Sequence, residues 1–351
     1  MSQDTDEEVE ELRVEEISCS SSDAKVEVEE DDDGLLFLDE GNLVDDDEEG
    51  KMLYLKWCEK LRVPPVSQIL KFLNGRSIPI NHYGICPRGL YALAQALRVN
   101  TTVETISLSH NNITAFSGGL TSFFEILSGN RTLKRINLSG NRIGENGCKA
   151  LSSFLSEPTC VLKEVNLSNN KLNDRNIKCI LEALAKNDRL EILDLSRNCL
   201  TGKCSGSLHD FLVRNNTTLR ALDLSWNTLK AKGSERIATA LTQDATLRRL
   251  DLSWNGIQDE GVLLFCDQIG QMNIEELGLV GNGITDEGFL AILEALSQCK
   301  GGLEIKTVRM DQNYIHEDQY LSAKGSTEYK DIASVVVIDS NILKLGFSNL
   351  K

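Results

Sequence analysis

Leu219–Leu229 reads LRALDLSWNTL, and Leu247–Ile257, starting 28 residues later, reads LRRLDLSWNGI. Both follow L-x-x-L-x-L-x-x-N-x-L/I, whose positions are called places 1 to 11 below. Alternation over places 3 to 7 describes a strand, with the aliphatics of places 4 and 6 on one side and places 3, 5 and 7 on the other. The Asn at place 9 carries a donor and an acceptor on one amide, so it can bond backbone groups in its own turn and in a neighbouring one. Trp226 and Trp254 occupy place 8, where neither core filling nor turn chemistry asks for an indole.

Outward from this pair the period holds. Units begin at residues 75, 103, 133, 162, 190, 219, 247, 274, 305 and 333, at spacings of 27–31 residues. Place 9 is Tyr83 in the first unit and then Asn111, Asn141, Asn170, Asn198, Asn227, Asn255, Asn282, Asn313 and Asn341. Each strand is followed by a helical stretch, such as GCKALSSFLS after Ile143, and Leu290, Leu293 and Leu296 show the three-and-four spacing of a buried helix face. Gly147, Gly233, Gly261 and Gly288 fall four residues after place 11, which lets a helix start close to its neighbour. A strand and a helix repeated at a fixed period give stacked units sharing one core. The expectation is an α/β solenoid over 75–351, a horseshoe with parallel strands on a concave face, helices on a convex face and a ladder of place-9 asparagines.

Before the first unit, residues 51–74 carry two apolar helical patterns separated by Pro64-Pro65, which reads as a cap on the open end of the stack. At the other end LKLGFSNLK follows the last unit with little to cover it, leaving closure to a partner or to self-association. Residues 1–50 differ in kind: they hold 22 Asp and Glu against Arg13 and Lys25, too much charge and too few apolar groups for a core, and read as a disordered acidic tail. The formal net charge of −16 therefore belongs to the tail, and the rest of the chain is mildly basic. A tail that repels phosphate argues against nucleic acid as a ligand. No run of about 18 apolar residues exists, so no membrane span is expected. The acidic N-terminus is unlike a signal peptide, and a cytoplasmic address follows, with nuclear, cytoskeletal and ciliary addresses left open. The 10 cysteines form no C-x-x-C pair and read as buried, reduced thiols, which makes the sequons at Asn100 and Asn130 irrelevant to glycosylation.

With its roughly 29-residue units and L-x-L-x-x-N-x-L core, the chain resembles the ribonuclease-inhibitor-like class of leucine-rich repeats. LDLSWN, together with YLKWCEKLRVPPVSQIL at 54–70, is similar to the leucine-rich-repeat-containing protein 74 group. The resemblance implies a strand-lined binding face and binding rather than catalysis. It also raises an alternative, regulation of a small GTPase in the manner of the activating protein for Ran, although no catalytic motif supports it here.

Enzyme motifs fail on inspection. No G-x-x-x-x-G-K-[ST], G-x-S-x-G or H-E-x-x-H occurs, and His82, His110, His209 and His316 fall in different units. No catalytic residue, cofactor or metal is expected. The strand face is the candidate site. Asp194, Asp223 and Asp251 stand at place 5 of three successive units, with Arg220 and Arg248 at place 2, Arg249 at place 3 and Arg197 at place 8. Trp226 and Trp254 should stand side by side at strand spacing. They serve either as a binding hot spot, where Trp and Arg are enriched, or as a staple between adjacent turns. The site expected from sequence is therefore one centre in units 190–257 gripping a protein partner.

Overall fold

The computed structural model describes residues 50–114, 118–214, 218–243, 246–299 and 304–326, together with 329, 332 and 335–338. Each repeat contributes one short strand: β1 (Ser77–Pro79), β2 (Thr105–Ser107), β3 (Arg135–Asn137), β4 (Glu164–Asn166), β5 (Ile192–Asp194), β6 (Ala221–Asp223), β7 (Arg249–Asp251), β8 (Glu276–Gly278), β9 (Thr307–Arg309) and β10 (Val336–Val337). They form one sheet of 10 strands in chain order. Pairing is parallel and place for place, as in Asp194 opposite Asp223 opposite Asp251. Helices on the other side of the core follow the strands: α3 (Pro87–Val99), α4 (Gly119–Ile126), α5 (Gly144–Leu155), α6 (Asp174–Leu184), α7 (Ser205–Arg214), α8 (Lys230–Leu241), α9 (Gln258–Cys266), α10 (Asp286–Ser297) and α11 (Glu317–Gly325). Ahead of them α1 (Lys51–Lys60) and α2 (Ser67–Phe72) flank the double proline, and Tyr54, Cys58, Ile69 and Leu73 join the core. Trp57 is half-buried and meets Tyr91 of α3 edge-on at 5.2 Å.

β1–β9 are three residues long and β10 two, rather than five, and the chain leaves extended geometry at place 8. There φ is positive in the nine repeats whose place 8 is described, from His82 (62°) and His110 (55°) through Gly140 (66°), Asn169 (54°), Arg197 (54°), Trp226 (56°), Trp254 (58°) and Gly281 (63°) to Gln312 (56°). Backbone pairing nevertheless continues past the strand ends: Leu224 N donates to Asp251 O at 2.9 Å and Trp226 N to Ser253 O at 2.8 Å.

The asparagine ladder locks these turns. Asn198 Nδ2 donates to Leu167 O, Leu195 O and Ser196 O at 2.9–3.1 Å, while its Oδ1 accepts from Asn170 N and Leu172 N of the preceding turn, both at 3.0 Å. One amide thereby meets five backbone groups, and the two N–H groups among them have no other acceptor among the described residues. Asn111, Asn141, Asn255, Asn282 and Asn313 bond on both sides in the same way. Asn227 does so through Leu200 N. Asn170 differs: its Nδ2 donates as the others do, but its buried Oδ1 accepts nothing among the described residues. Asn341 lies outside them.

A second asparagine ladder, unforeseen from the sequence, closes the opposite turns. Asn100, Asn130 and Asn187 sit three residues before place 1 and are buried. Asn130 Nδ2 donates to Leu97 O at 2.7 Å and its Oδ1 accepts from Leu133 N at 2.9 Å; Asn100 and Asn187 repeat the pattern. The sequons at 100 and 130 are therefore structural turns. A third device ties helix starts together: Asp259 accepts from Thr285 N and Oγ1 and from Gly288 N, and Asp174 from Thr201 N and Oγ1. The helix-start glycines permit that closeness, since a Cβ on Gly261 would lie 2.6 Å from Ser234 Oγ and 3.0 Å from Ala231 Cα of α8.

Cys58, Cys148, Cys160 and Cys204 are buried, and burial pushes the Cys148 and Cys204 thiols up to about 12. Cys86 and Cys199 are exposed, against the expectation of burial throughout. Cys86 is used structurally, since its Sγ accepts from Gly89 N at the start of α3.

Candidate functional site

The repeat turns single residues into rows. Place 5 gives the central row on the strand face. Asp194, Asp223 and Asp251 lie there in register, and adjacent strands bring their Cα atoms to about 4.8 Å from one another. Each carboxylate is held by its own turn, with Oδ1 accepting from the backbone N of Ser196, Ser225 or Ser253 at 2.9 Å. Beyond that the three differ. Asp194 Oδ2 accepts from Asn166 Nδ2 at 2.7 Å. Asp251 Oδ2 pairs with Arg309 Nη2 at 2.8 Å, and such a partly exposed pair is worth at most about 1 kcal/mol. Asp223, in the middle, has no ion pair among the described residues. Burial first, and then the neighbouring carboxylates of Asp194 and Asp251, push its carboxyl above the ordinary value against the pull of its Ser225 bonds. A cavity of ≈ 360 Å³ opens over this row, and its charged lining is Glu164, Asp194, Asp223, Asp251 and Glu276 against Arg249 and Arg309.

Place 8 gives the rim beyond the strand ends. Left-handed backbone at strand spacing lays flat side chains on one another. Trp226 and Trp254 stack at 4.6 Å between centroids with planes 18° apart. The Arg197 guanidinium lies 4.6 Å from the other face of Trp226. Trp254 lies over Gly281, where a Cβ would come within 2.6 Å of the indole. The faces of both rings are thus covered from within the chain, while Trp226 stays 43% exposed through its edge. A left-handed conformation at a bulky residue is an outlier, and these two turns add a second one each at Lys230 and Gln258. The histidines are not isolated as their sequence positions suggest: His82 and His110 stack at 4.5 Å and 6°.

Place 2 gives the opposite rim, a row in which each of Glu104, Glu191 and Glu275 stands between two basic residues. Glu104 lies between Arg76 and Lys134, at 3.9 and 3.2 Å, and Glu275 between Arg248 and Lys306, at 3.6 and 2.6 Å. Lys163 pairs with Glu191 at 2.6 Å, and Arg220 N donates to Glu191 O at 2.8 Å. The hydrogen bond from Lys134 holds the Glu104 carboxyl below its ordinary value, and that from Lys306 does the same to Glu275.

The residues grouped from sequence therefore divide. Asp194, Asp223, Asp251 and Arg249 share the strand face. Arg197, Trp226 and Trp254 form one stack on the rim after the strands. Arg220 and Arg248 stand on the rim before them. Sequence reading missed Asn166 and Arg309, which close the two ends of the acidic row, and Gly278, which makes room for the second of them.

One parallel sheet with a helix after each of β1–β9 and a ladder of turn asparagines defines a leucine-rich-repeat solenoid. Leucine-rich-repeat family profiles match residues 99–115, 129–152, 189–211, 215–238, 243–266 and 270–293. The pig ribonuclease inhibitor is 31% identical over 233 residues, covering 66% of this chain and 50% of that protein. Mouse NACHT, LRR and PYD domains-containing protein 9C is 28% identical over 263 residues, covering 74% of this chain and 25% of that protein. The chain is a leucine-rich-repeat protein of the ribonuclease-inhibitor-like kind. It spans half or less of the length of these relatives. Among solved structures, internalin C2 of Listeria monocytogenes matches at a TM-score of 0.42 and 17% identity, over 71% of this chain and 83% of that chain.

Proposed function

We propose that this chain is a non-catalytic scaffold that takes a protein partner on the strand face of repeats 190–257. The fold class supports an interaction role in general. The observation that favours this place is the coincidence, in the same three repeats, of the acidic row, the cavity over it and the tryptophan stack. The Trp226 and Trp254 rings are locked by Arg197 and Gly281, so their edges meet a partner with little further loss of side-chain freedom. The pairing of an aromatic rim with a carboxylate row suits a polypeptide surface better than a small molecule.

A photo-crosslinking amino acid placed at Ala221 or Ile192, on the face, and at Lys178, on a helix, tests this in cells. The same captured protein from both face positions and not from Lys178 is the expected result. Capture from the helix position alone would overturn the reading.

A further inference from the structure

The acidic row already holds a basic side chain, and it comes from the wrong strand for a simple cross-strand pair. Strand neighbours at place 5 run Asp251, Gly278, Arg309. Arg309 therefore crosses a whole strand to reach Asp251, a residue 58 positions away in sequence. It can do so because Gly278 has no side chain: a Cβ there would collide with the Asp251 carboxylate. Gly278 leaves a trough into which Asp251 leans from one side and Arg309 from the other. The row consequently shows what it accepts. Its terminal carboxylate carries a guanidinium, its other end an amide from Asn166, and its centre, Asp223, carries no cation.

We infer that the cavity over β5–β7 is a receptor for an arginine side chain of the protein partner, and that Arg309 is an internal stand-in which the partner's guanidinium joins or displaces. This deepens the scaffold reading and rests on it for the place of binding. The chemistry fits arginine before lysine. A planar fork of N–H groups matches carboxylate oxygens spaced along a row, whereas an ammonium offers a point charge. Five acids against two arginines around the cavity leave it complementary to a basic segment. The Arg309 side chain is 53% exposed on this pair, so exchange needs no repacking of the core. Asp223, half-buried and crowded by two like charges, is the member of the row that gains most from an incoming cation.

The test uses the full chain and fluorescein-labelled tetra-arginine, tetra-lysine and tetra-glutamate peptides, read by anisotropy at low salt and at about 0.15 M. Tetra-arginine should bind more tightly than tetra-lysine, and tetra-glutamate should not bind. Asp223→Asn should weaken tetra-arginine about tenfold, and Arg309→Gln should tighten it about threefold by freeing Asp251. Asp194→Asn serves as a second carboxylate variant, and the melting temperature of each variant certifies its fold. Equal binding by Asp223→Asn and wild type, no gain in Arg309→Gln, or equal affinity for tetra-arginine and tetra-glutamate would each overturn the inference. If face crosslinks capture a partner while the arginine peptide shows no dependence on Asp223, this inference falls and the scaffold reading stands. If the peptide binds through Asp223 while capture comes from Lys178 alone, the reverse holds.

Discussion

Two stretches of the place-8 rim have the same backbone and opposite surroundings. In the N-terminal stretch His82 and His110 stack at 4.5 Å, and His110 lies over Gly140, where a Cβ would collide with its ring. In the central stretch Trp226 and Trp254 stack at 4.6 Å, and Trp254 lies over Gly281. Both stacks use left-handed residues at strand spacing, and both end on a glycine that gives the last ring its room. The strand face beside them differs: Pro79, Ser107 and Asn137 stand next to the histidines, and Asp194, Asp223 and Asp251 next to the tryptophans. The fold thus makes a flat stack wherever neighbouring place-8 residues are flat. It does not choose the chemistry, and the tryptophans with their acidic row are a separate property of repeats 190–257.

The largest effect comes from the ladder beneath both stacks. Asn198→Ala leaves the Asn170 and Leu172 N–H groups unpaired, while Leu167 O, Leu195 O and Ser196 O keep donors in Asn170 Nδ2, Asn227 Nδ2 and Asn169 N; each buried group left unpaired costs about 1–3 kcal/mol. Relaxation and water recover part of that, so a loss of about 2 kcal/mol or more is expected from urea unfolding. Asn170→Ala should cost distinctly less, because its Oδ1 holds no donor. Equal losses would mean that donation alone secures the ladder.

Next come the two terminal glycines. Gly281→Ala puts a Cβ into the Trp254 ring at a φ of 63°, and Gly140→Ala does the same to His110 at 66°. The left-handed penalty alone is about 1–2 kcal/mol, and ring displacement adds to it. Both variants should lower the melting temperature by similar amounts, but only Gly281→Ala should alter the near-UV circular dichroism of the paired indoles. An unchanged spectrum would show that Trp254 does not depend on the glycine for its place.

The fold was legible because its determinants are local and periodic: a place-9 Asn, aliphatics at places 4 and 6, a glycine at the helix start. The rim was not. Arg, Trp and Gln do not favour left-handed backbone, so their conformation comes from the Asn turn and from pairing such as Trp226 N to Ser253 O, not from their own propensity. The faint clue was that Gly140, Asn169 and Gly281, residues that do favour it, share their place. The second ladder was visible as Asn three residues before place 1, but Asn100 and Asn130 also spell sequons, and the accidental motif hid the structural one. The Arg309–Asp251 pair was beyond reach, since reading it requires knowing that a side chain passes over an intervening glycine.

A smaller effect separates hot spot from staple. Trp226→Asn removes a stacking contact worth about 0.5–1.5 kcal/mol. It also replaces a bulky left-handed residue by one that adopts that conformation readily, recovering a similar amount. Net stability in urea should therefore move by less than about 1 kcal/mol, as should that of His110→Asn in the other stack. A large loss at 226 alone would make the indoles a structural staple and weaken the case for a partner there.

The smallest effect is electrostatic and reverses between the two regions. Burial and two like charges hold the Asp223 carboxyl above its ordinary value, so the folded chain keeps that proton more strongly than the unfolded chain does. Ionised Asp223 therefore opposes folding. The opposition is absent below the ordinary carboxylate range and grows as pH rises through the folded value. Asp223→Asn keeps the shape and removes the charge, so it should raise the melting temperature at pH 7, with the gain fading toward about pH 3. Asn137 holds the equivalent place beside the histidine stack and already makes the same bond to its turn, from Ser139 N at 2.9 Å. Asn137→Asp there introduces one carboxylate without acidic neighbours at place 5, so its penalty at pH 7 should be smaller than the gain from Asp223→Asn. A pH-independent gain at 223, or a loss, would show that the row is compensated in the free protein and does not wait for a partner's charge.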